Sequence, residues 1–183
     1  MHNLILKKHY LFLFAFLLVG ASSCKKIMSL LSFQVNDSST FTVPGTPFLT
    51  GATVNFPVVT VATTSQSTYK NNNTSADYVQ DVTLDRLTLT VSNPSTQNFD
   101  FLKSISIYIA TDAAGSNKVL LASLATVPTG QTSISLTPAG NKLDMYLKNS
   151  SYTLTTNAEL AQTLRQNTDV RADSRFTVHA KLP

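Results

Sequence analysis

The chain has 183 residues, of which only 13% are charged, with 14 Lys and Arg against 10 Asp and Glu. That length suits one domain with a sizeable core that needs neither disulfides nor a structural metal, and a single cysteine excludes a disulfide framework or a cysteine-based zinc site. Two of the cations, Lys7 and Lys8, lie in a leader-like segment; the remaining 12 against 10 acids leave a net +2, too little and too scattered to argue for nucleic acid.

Residues 1–23 read as a secretory signal peptide: a short basic head with Lys7 and Lys8, an apolar run over 10–19, then Gly20, Ala21, Ser22 and Ser23. The apolar run is about half the ~20 residues that a helix needs to cross the hydrocarbon core of a bilayer. A cleaved signal is therefore expected rather than a permanent span. Its removal from the 183 residues would leave 160.

The only cysteine of the chain follows those small residues directly. The segment Val19-Gly20-Ala21-Ser22-Ser23-Cys24 resembles the lipobox of bacterial lipoproteins. The resemblance implies a diacylglycerol on the Cys24 thiol, cleavage just before Cys24 and further acylation, palmitate included, on the new amine. Ala21 stands where the usual lipobox has Leu, and Ser23 replaces the commoner Gly or Ala. An ordinary signal peptidase accepting Ala21 and Ser23 would cut the same bond and leave a soluble protein with a free thiol. Lipidation is the favoured reading, because exported proteins seldom keep an unused lone thiol in an oxidising compartment. Two or three acyl chains, at ~0.8 kcal/mol per buried CH₂, would hold the protein at the membrane. Lys25 and Lys26 follow, where lipoproteins retained in the inner membrane commonly carry Asp and Bacteroidota surface lipoproteins an acidic cluster. By that resemblance the expected address is the outer membrane, facing the periplasm.

Residues 24–33, with Ile27, Met28, Leu30, Leu31 and Phe33, are expected to form the lipidated cysteine and a short tether, with a single domain over 34–183. The apolar cluster in them also suits the opening of a first strand. From Phe33 onward the hydrophobic period is two, the mark of half-buried strands. Leu87, Leu89 and Val91 alternate with Thr88, Thr90 and Ser92. Ile105, Ile107 and Ile109 alternate with Ser104, Ser106 and Tyr108; Ile134 and Leu136 with Ser133, Ser135 and Thr137. Tyr152 and Leu154 follow, then Phe176, Val178, Ala180 and Leu182 between Thr177, His179 and Lys181. Two segments, 54–62 and 119–124, are apolar on both parities and are expected as strands covered on two sides.

Turn residues at Pro44-Gly45, Asn93-Pro94, 114–117, 128–130 and 138–141 separate these runs. The spacing predicts an all-β antiparallel sandwich, immunoglobulin-like or similar, of about seven to nine strands. Helix is limited to a turn at 143–148, where Leu143, Tyr146 and Leu147 share a face. Val82 and Leu84 lie on the opposite parity from Leu87, Leu89 and Val91, which predicts a bulge at Asp85 and Arg86 or a strand that begins at Arg86. The stretch bounded by Thr63 and Asp77 is the longest polar one, with Ser65, Gln66, Ser67 and Asn71 to Asn73, and is expected as a mobile loop, functional or disordered.

Catalytic patterns are missing from the sequence. His2 and His9 lie in the signal, which leaves His179 on a polar strand parity, and no Gly-x-Ser-x-Gly elbow occurs. Glu159 is the only glutamate. Asp77, Asp81 and Asp85 recur every fourth residue, without the loop spacing of calcium motifs, and read as a solvated face. Asp169 and Asp173 flank Arg171 and read as hairpin-loop charges. No tryptophan is present, so a sugar platform would fall to Tyr69, Tyr78 or Tyr108. No catalytic residue, metal site or cofactor is expected. In overall style the chain looks like uncharacterised envelope lipoproteins of Bacteroidota. The expected function is that of a non-enzymatic structural or binding lipoprotein. The alternatives are a carbohydrate- or peptide-recognition lipoprotein serving a transporter, and a hydrolase with an unrecognised site.

Overall fold

Period-two patterning, with branched residues on one parity and Ser, Thr or Asn on the other, buries one face of a strand and wets the other, so strands of this kind pair into layers. The computed structural model describes residues 32–45 and 50–181. In these the strands are β1 (Ser32–Val43), β2 (Thr53–Asn55), β3 (Val59–Ala62), β4 (Val79–Asn93), β5 (Leu102–Ala110), β6 (Val119–Leu124), β7 (Ser133–Pro138), β8 (Ser151–Leu160) and β9 (Thr168–Ala180). Two short helices, α1 (Ser65–Asn71) and α2 (Asp144–Leu147), and a 3-10 turn at Phe99–Phe101 complete the described elements. Cys24, the signal and the tether up to Leu31, and the expected core position Leu182, lie outside the described residues.

The strand order is β1-β9-β4-β7-β6-β5-β8-β2, with β3 also on β8. β7 belongs to both halves: its first part pairs with β4 (Leu87 with Leu136, Leu89 with Ile134), its last two residues with β6 (Ala122 with Pro138). The sheet curls at β7 into two layers, β1-β9-β4-β7 and β6-β5-β8-β2/β3. Tyr152 of β8 meets Phe176 of β9 edge-on at 5.9 Å between ring centroids, a contact between strands that are not sheet neighbours. The protein is thus an all-β antiparallel sandwich with little helix, as the periodicity predicts. Ile105, Ile107 and Ile109 are 2%, 1% and 0% exposed and lie in its core with Leu87, Leu89, Ile134, Leu136 and Val178.

The parity break resolves as predicted, by a bulge. β4 pairs with β9 through Leu84 with Phe176 and then Arg86 with Arg175, so Asp85 is the extra residue. A second register shift lies between Gln80 and Thr83, where Asp81 takes a φ of 50°. Together they let Val82 and Leu84 and then Leu87 and Leu89 all face inward.

Three expectations are corrected. Residues 54–62 do not make a strand covered on both sides. Pro57 has no N–H to give to a ladder, and β2 and β3 are separate short edge strands on β8, with Val58 between them 50% exposed. Residues 63–77 are not a loop throughout, because they contain α1. Its anchor is Tyr69, 1% exposed, which packs edge-on against Phe33 at 5.9 Å and donates its hydroxyl to the Leu147 carbonyl at 3.0 Å. The polar groups around it find tertiary partners: the Thr64 N–H and hydroxyl donate to Asp37 Oδ1, Ser65 Oγ to the Asn149 carbonyl and Gln66 Nε2 to the Lys148 carbonyl. Asp169, Arg171 and Asp173 lie within β9 rather than in a hairpin loop. β9 is long enough to carry them outward while Val170 and Ala172 face the core. The expected helical turn is present as α2, with Tyr146 and Leu147 buried.

Candidate functional site

The outward parity of β5 and β8 builds the site. β5 and β8 pair with Ser106 opposite Asn157 and Tyr108 opposite Thr155, and β2 pairs with Asn55 opposite Asn157. These residues stand side by side on the outer face of the second layer. An open groove of about 480 Å³ lies over Asn55, Tyr108, Thr155 and Asn157, walled at one end by Ala114, Gly115 and Lys118 and edged by the exposed Val58. That size falls within the roughly 300–1,000 Å³ of small-molecule sites.

The groove has a mixed apolar and polar lining that is nearly uncharged, since among the described residues Lys118 is the only ionised side chain that lines it. Its ammonium sits 5.4 Å from the Tyr108 ring centroid, a cation–π contact. Asn157 Nδ2 donates to Asn55 Oδ1 at 3.2 Å. This bond leaves the other half of each amide, the Asn55 NH₂ and the Asn157 carbonyl, without a protein partner among the described residues. Further along the same face Glu159 is paired with Lys103 at 2.8 Å.

The loop that carries Lys118 is held from two sides. Asn117 Oδ1 accepts from the Thr111 N–H at 3.0 Å while its Nδ2 donates to Thr111 Oγ1 at 2.9 Å. Tyr146 of α2 donates its hydroxyl to the Asn117 carbonyl at 2.6 Å. Gly115 turns the loop at a φ of 68°, a region where a side chain is strained. These bonds hold the wall in place without help from a ligand's side.

Of the residues singled out in the sequence, Tyr108 lies in this groove. Tyr69 is a buried residue of α1, and burial pushes its phenol up to about 12. Tyr78 is 40% exposed and elsewhere. His179 is exposed on β9, opposite Gln80 of β4. Asp77, Asp81 and Asp85 do not converge: Asp81 pairs with Lys142 at 2.6 Å, which holds its carboxyl below the usual range, Asp85 pairs with Arg175, and Asp77 is exposed. Among the described residues no three His, Cys, Asp or Glu side chains gather as a metal site. Asn55, Asn157 and Lys118 carried no signal in the sequence. Only the register of β2 on β8 and the turn at Gly115 bring them to Tyr108.

The class defined by this geometry is an antiparallel β-sandwich with an open groove of mixed lining on one outer face. No protein-family model and no curated protein sequence matches the chain. Among solved structures it is similar to the decameric BFDV capsid protein, with a TM-score of 0.43 and 6% identity over 82% of this chain and 98% of that one. FlhE aligns with a TM-score of 0.33 and 12% identity over 82% and 98%. The Desmodium yellow mottle tymovirus protein gives 0.29 and 8% over 82% and 90%. The sandwich architecture rests on the strand pairing above, not on these likenesses.

Proposed function

We propose that the protein is a non-enzymatic envelope lipoprotein, held by lipid on Cys24 at the periplasmic face of the outer membrane, that acts as a binding module through the Tyr108 groove. The observation that carries the binding role is the convergence in one groove of the Asn55–Asn157 pair, the Thr155 hydroxyl and the Lys118 ammonium. A few convergent polar groups in a concave, partly apolar site are the default mark of recognition. The lipobox-like segment before Cys24 supports the address.

Each half of the reading has its own test. In cells that make the full-length protein, Cys24→Ser abolishes palmitate labelling and processing by the lipoprotein peptidase; unchanged labelling would end the lipoprotein reading. For the groove, the detergent-solubilised full-length protein is screened against saccharides and short peptides, with Tyr108→Ala as the control. Ligands whose binding survives that substitution place the function elsewhere on the molecule.

A further inference from the structure

The groove's chemistry goes beyond binding in general and names a ligand class; this inference rests on the binding role proposed above. We propose that the groove takes an acidic saccharide: a sugar ring lies against Tyr108 and Val58, its hydroxyls bond the Asn55–Asn157 pair and Thr155, and its carboxylate meets Lys118.

The charge of the ligand follows from Lys118. It is the only ionised residue of the lining and has no carboxylate partner among the described residues, whereas Lys103 on the same face is neutralised by Glu159. Its ammonium rests over the Tyr108 ring. A cation–π contact at an exposed site is weaker than a hydrogen bond to a charged group. A carboxylate therefore draws the flexible lysine off the ring, and the ring face it leaves is open to the C–H face of a sugar.

Hydroxyls are favoured over peptide groups for a reason of backbone. The main chain under the groove is consumed in ladders, β2 and β5 both pairing with β8 and the Phe56 N–H donating to the Thr156 carbonyl at 3.2 Å. The free sheet edge beside the groove is that of β2, which is three residues long and offers an extended peptide little main chain for strand addition. On the floor of the groove the ligand meets side chains. The asparagine pair presents an NH₂ group and a carbonyl oxygen, and two neighbouring hydroxyls, each donor and acceptor at once, can bond both. Thr155 adds a hydroxyl with no protein partner among the described residues.

The test is calorimetric titration of the full-length protein in detergent with four hexuronic-acid disaccharides of different ring stereochemistry, each beside its carboxyl-reduced counterpart. At least one acidic disaccharide is expected to bind, with its reduced form at least tenfold weaker. Lys118→Met should bring the acidic form down to the level of the reduced one. Tyr108→Ala and Asn157→Leu should weaken both forms, whereas Tyr108→Phe keeps both. Added salt should weaken the acidic form alone. Equal affinity of acidic and reduced forms, indifference to Lys118→Met, or no binding by any of the four overturns the acidic-saccharide assignment. An acidic tetrapeptide run in parallel separates this from the broader reading. If it binds and Tyr108→Ala abolishes that binding, the saccharide class is wrong and the groove remains the binding site. If no probe of either kind responds to Tyr108→Ala, both readings fall.

Discussion

The two outer faces of the sandwich are built from the same kinds of residue and use them in opposite ways. On the first layer, Arg171 pairs with Asp173 at 2.9 Å, Arg175 with Asp85, Ser38 donates to Asp173 and Thr42 to Asp169, and Thr90 meets Ser133 at 3.1 Å. Many polar groups there are spent on one another, within β9 or across to a neighbouring strand. On the second layer, Tyr108, Asn55, Asn157, Thr155 and Lys118 stand around a concavity with much of their hydrogen-bonding capacity unused. The first face also carries a concavity, about 260 Å³ and lined by Ser38, Arg86, Asp173 and Arg175, but most of its side chains are paired with one another. The second leaves more of its polar groups unpaired, although both derive from alternating Ser, Thr, Asn and charged positions.

The comparison supposes that the core beneath the groove is independent of the groove. The largest test of that is at Ile107, directly between Ser106 and Tyr108 on β5 and 1% exposed. Ile107→Ala should cost about 2–5 kcal/mol, a large share of a typical 5–15 kcal/mol total. Ser106→Ala should cost well under ~1 kcal/mol. Denaturant unfolding of the two variants measures the contrast, and equal costs would mean that the outer face of β5 is part of the core.

The α1 segment belongs with the first face in spending its polar groups on the protein, and Tyr69 sharpens that assignment. Tyr69→Phe removes the bond to the Leu147 carbonyl and should cost about 1 kcal/mol near neutral pH. Burial raises the phenol from its ordinary value near 10 to about 12. An acid raised on folding contributes its stabilisation fully below the unfolded value and loses it as pH climbs through the folded one. Stability should therefore fall between pH about 10 and about 12, with a smaller fall in the Phe variant. Unfolding midpoints across that range decide it; identical alkaline profiles would show that Tyr69 does not hold α1.

The smallest effects separate spent from unspent groups. Thr90→Val loses its contact with Ser133 and should cost roughly 0.5–1 kcal/mol. Thr155→Val loses no protein partner and should stay within about 0.5 kcal/mol. Arg171→Ala, breaking an exposed ion pair, should also lie within about 0.5 kcal/mol. Thermal or chemical unfolding checks all three. A Thr155 variant as costly as the Thr90 variant would erase the distinction between the two faces.

Much of the architecture was legible because it depends on a local period. Ile105, Ile107 and Ile109 declare a dry face by alternation alone, the switch of parity between Leu84 and Leu87 demands an extra residue, and the turn residues separate the strands. Three elements were not legible, each for a nonlocal reason. Residues 63–77 are too polar to advertise a helix, and α1 forms because Asp37, Phe33, Leu147 and Asn149 receive Thr64, Tyr69 and Ser65. The apolar run at 54–62 suggests burial on both sides, but its place at the sheet edge on β8 and the break at Pro57 decide otherwise. The groove is the extreme case. Tyr108 was visible as an outward aromatic, yet Asn55 and Asn157 lie 102 positions apart and are neighbours only through the β2–β8 register. Alternation along a chain determines which side of a strand is wet. Which wet residues stand together is decided by pairing between distant strands, and no local pattern records it.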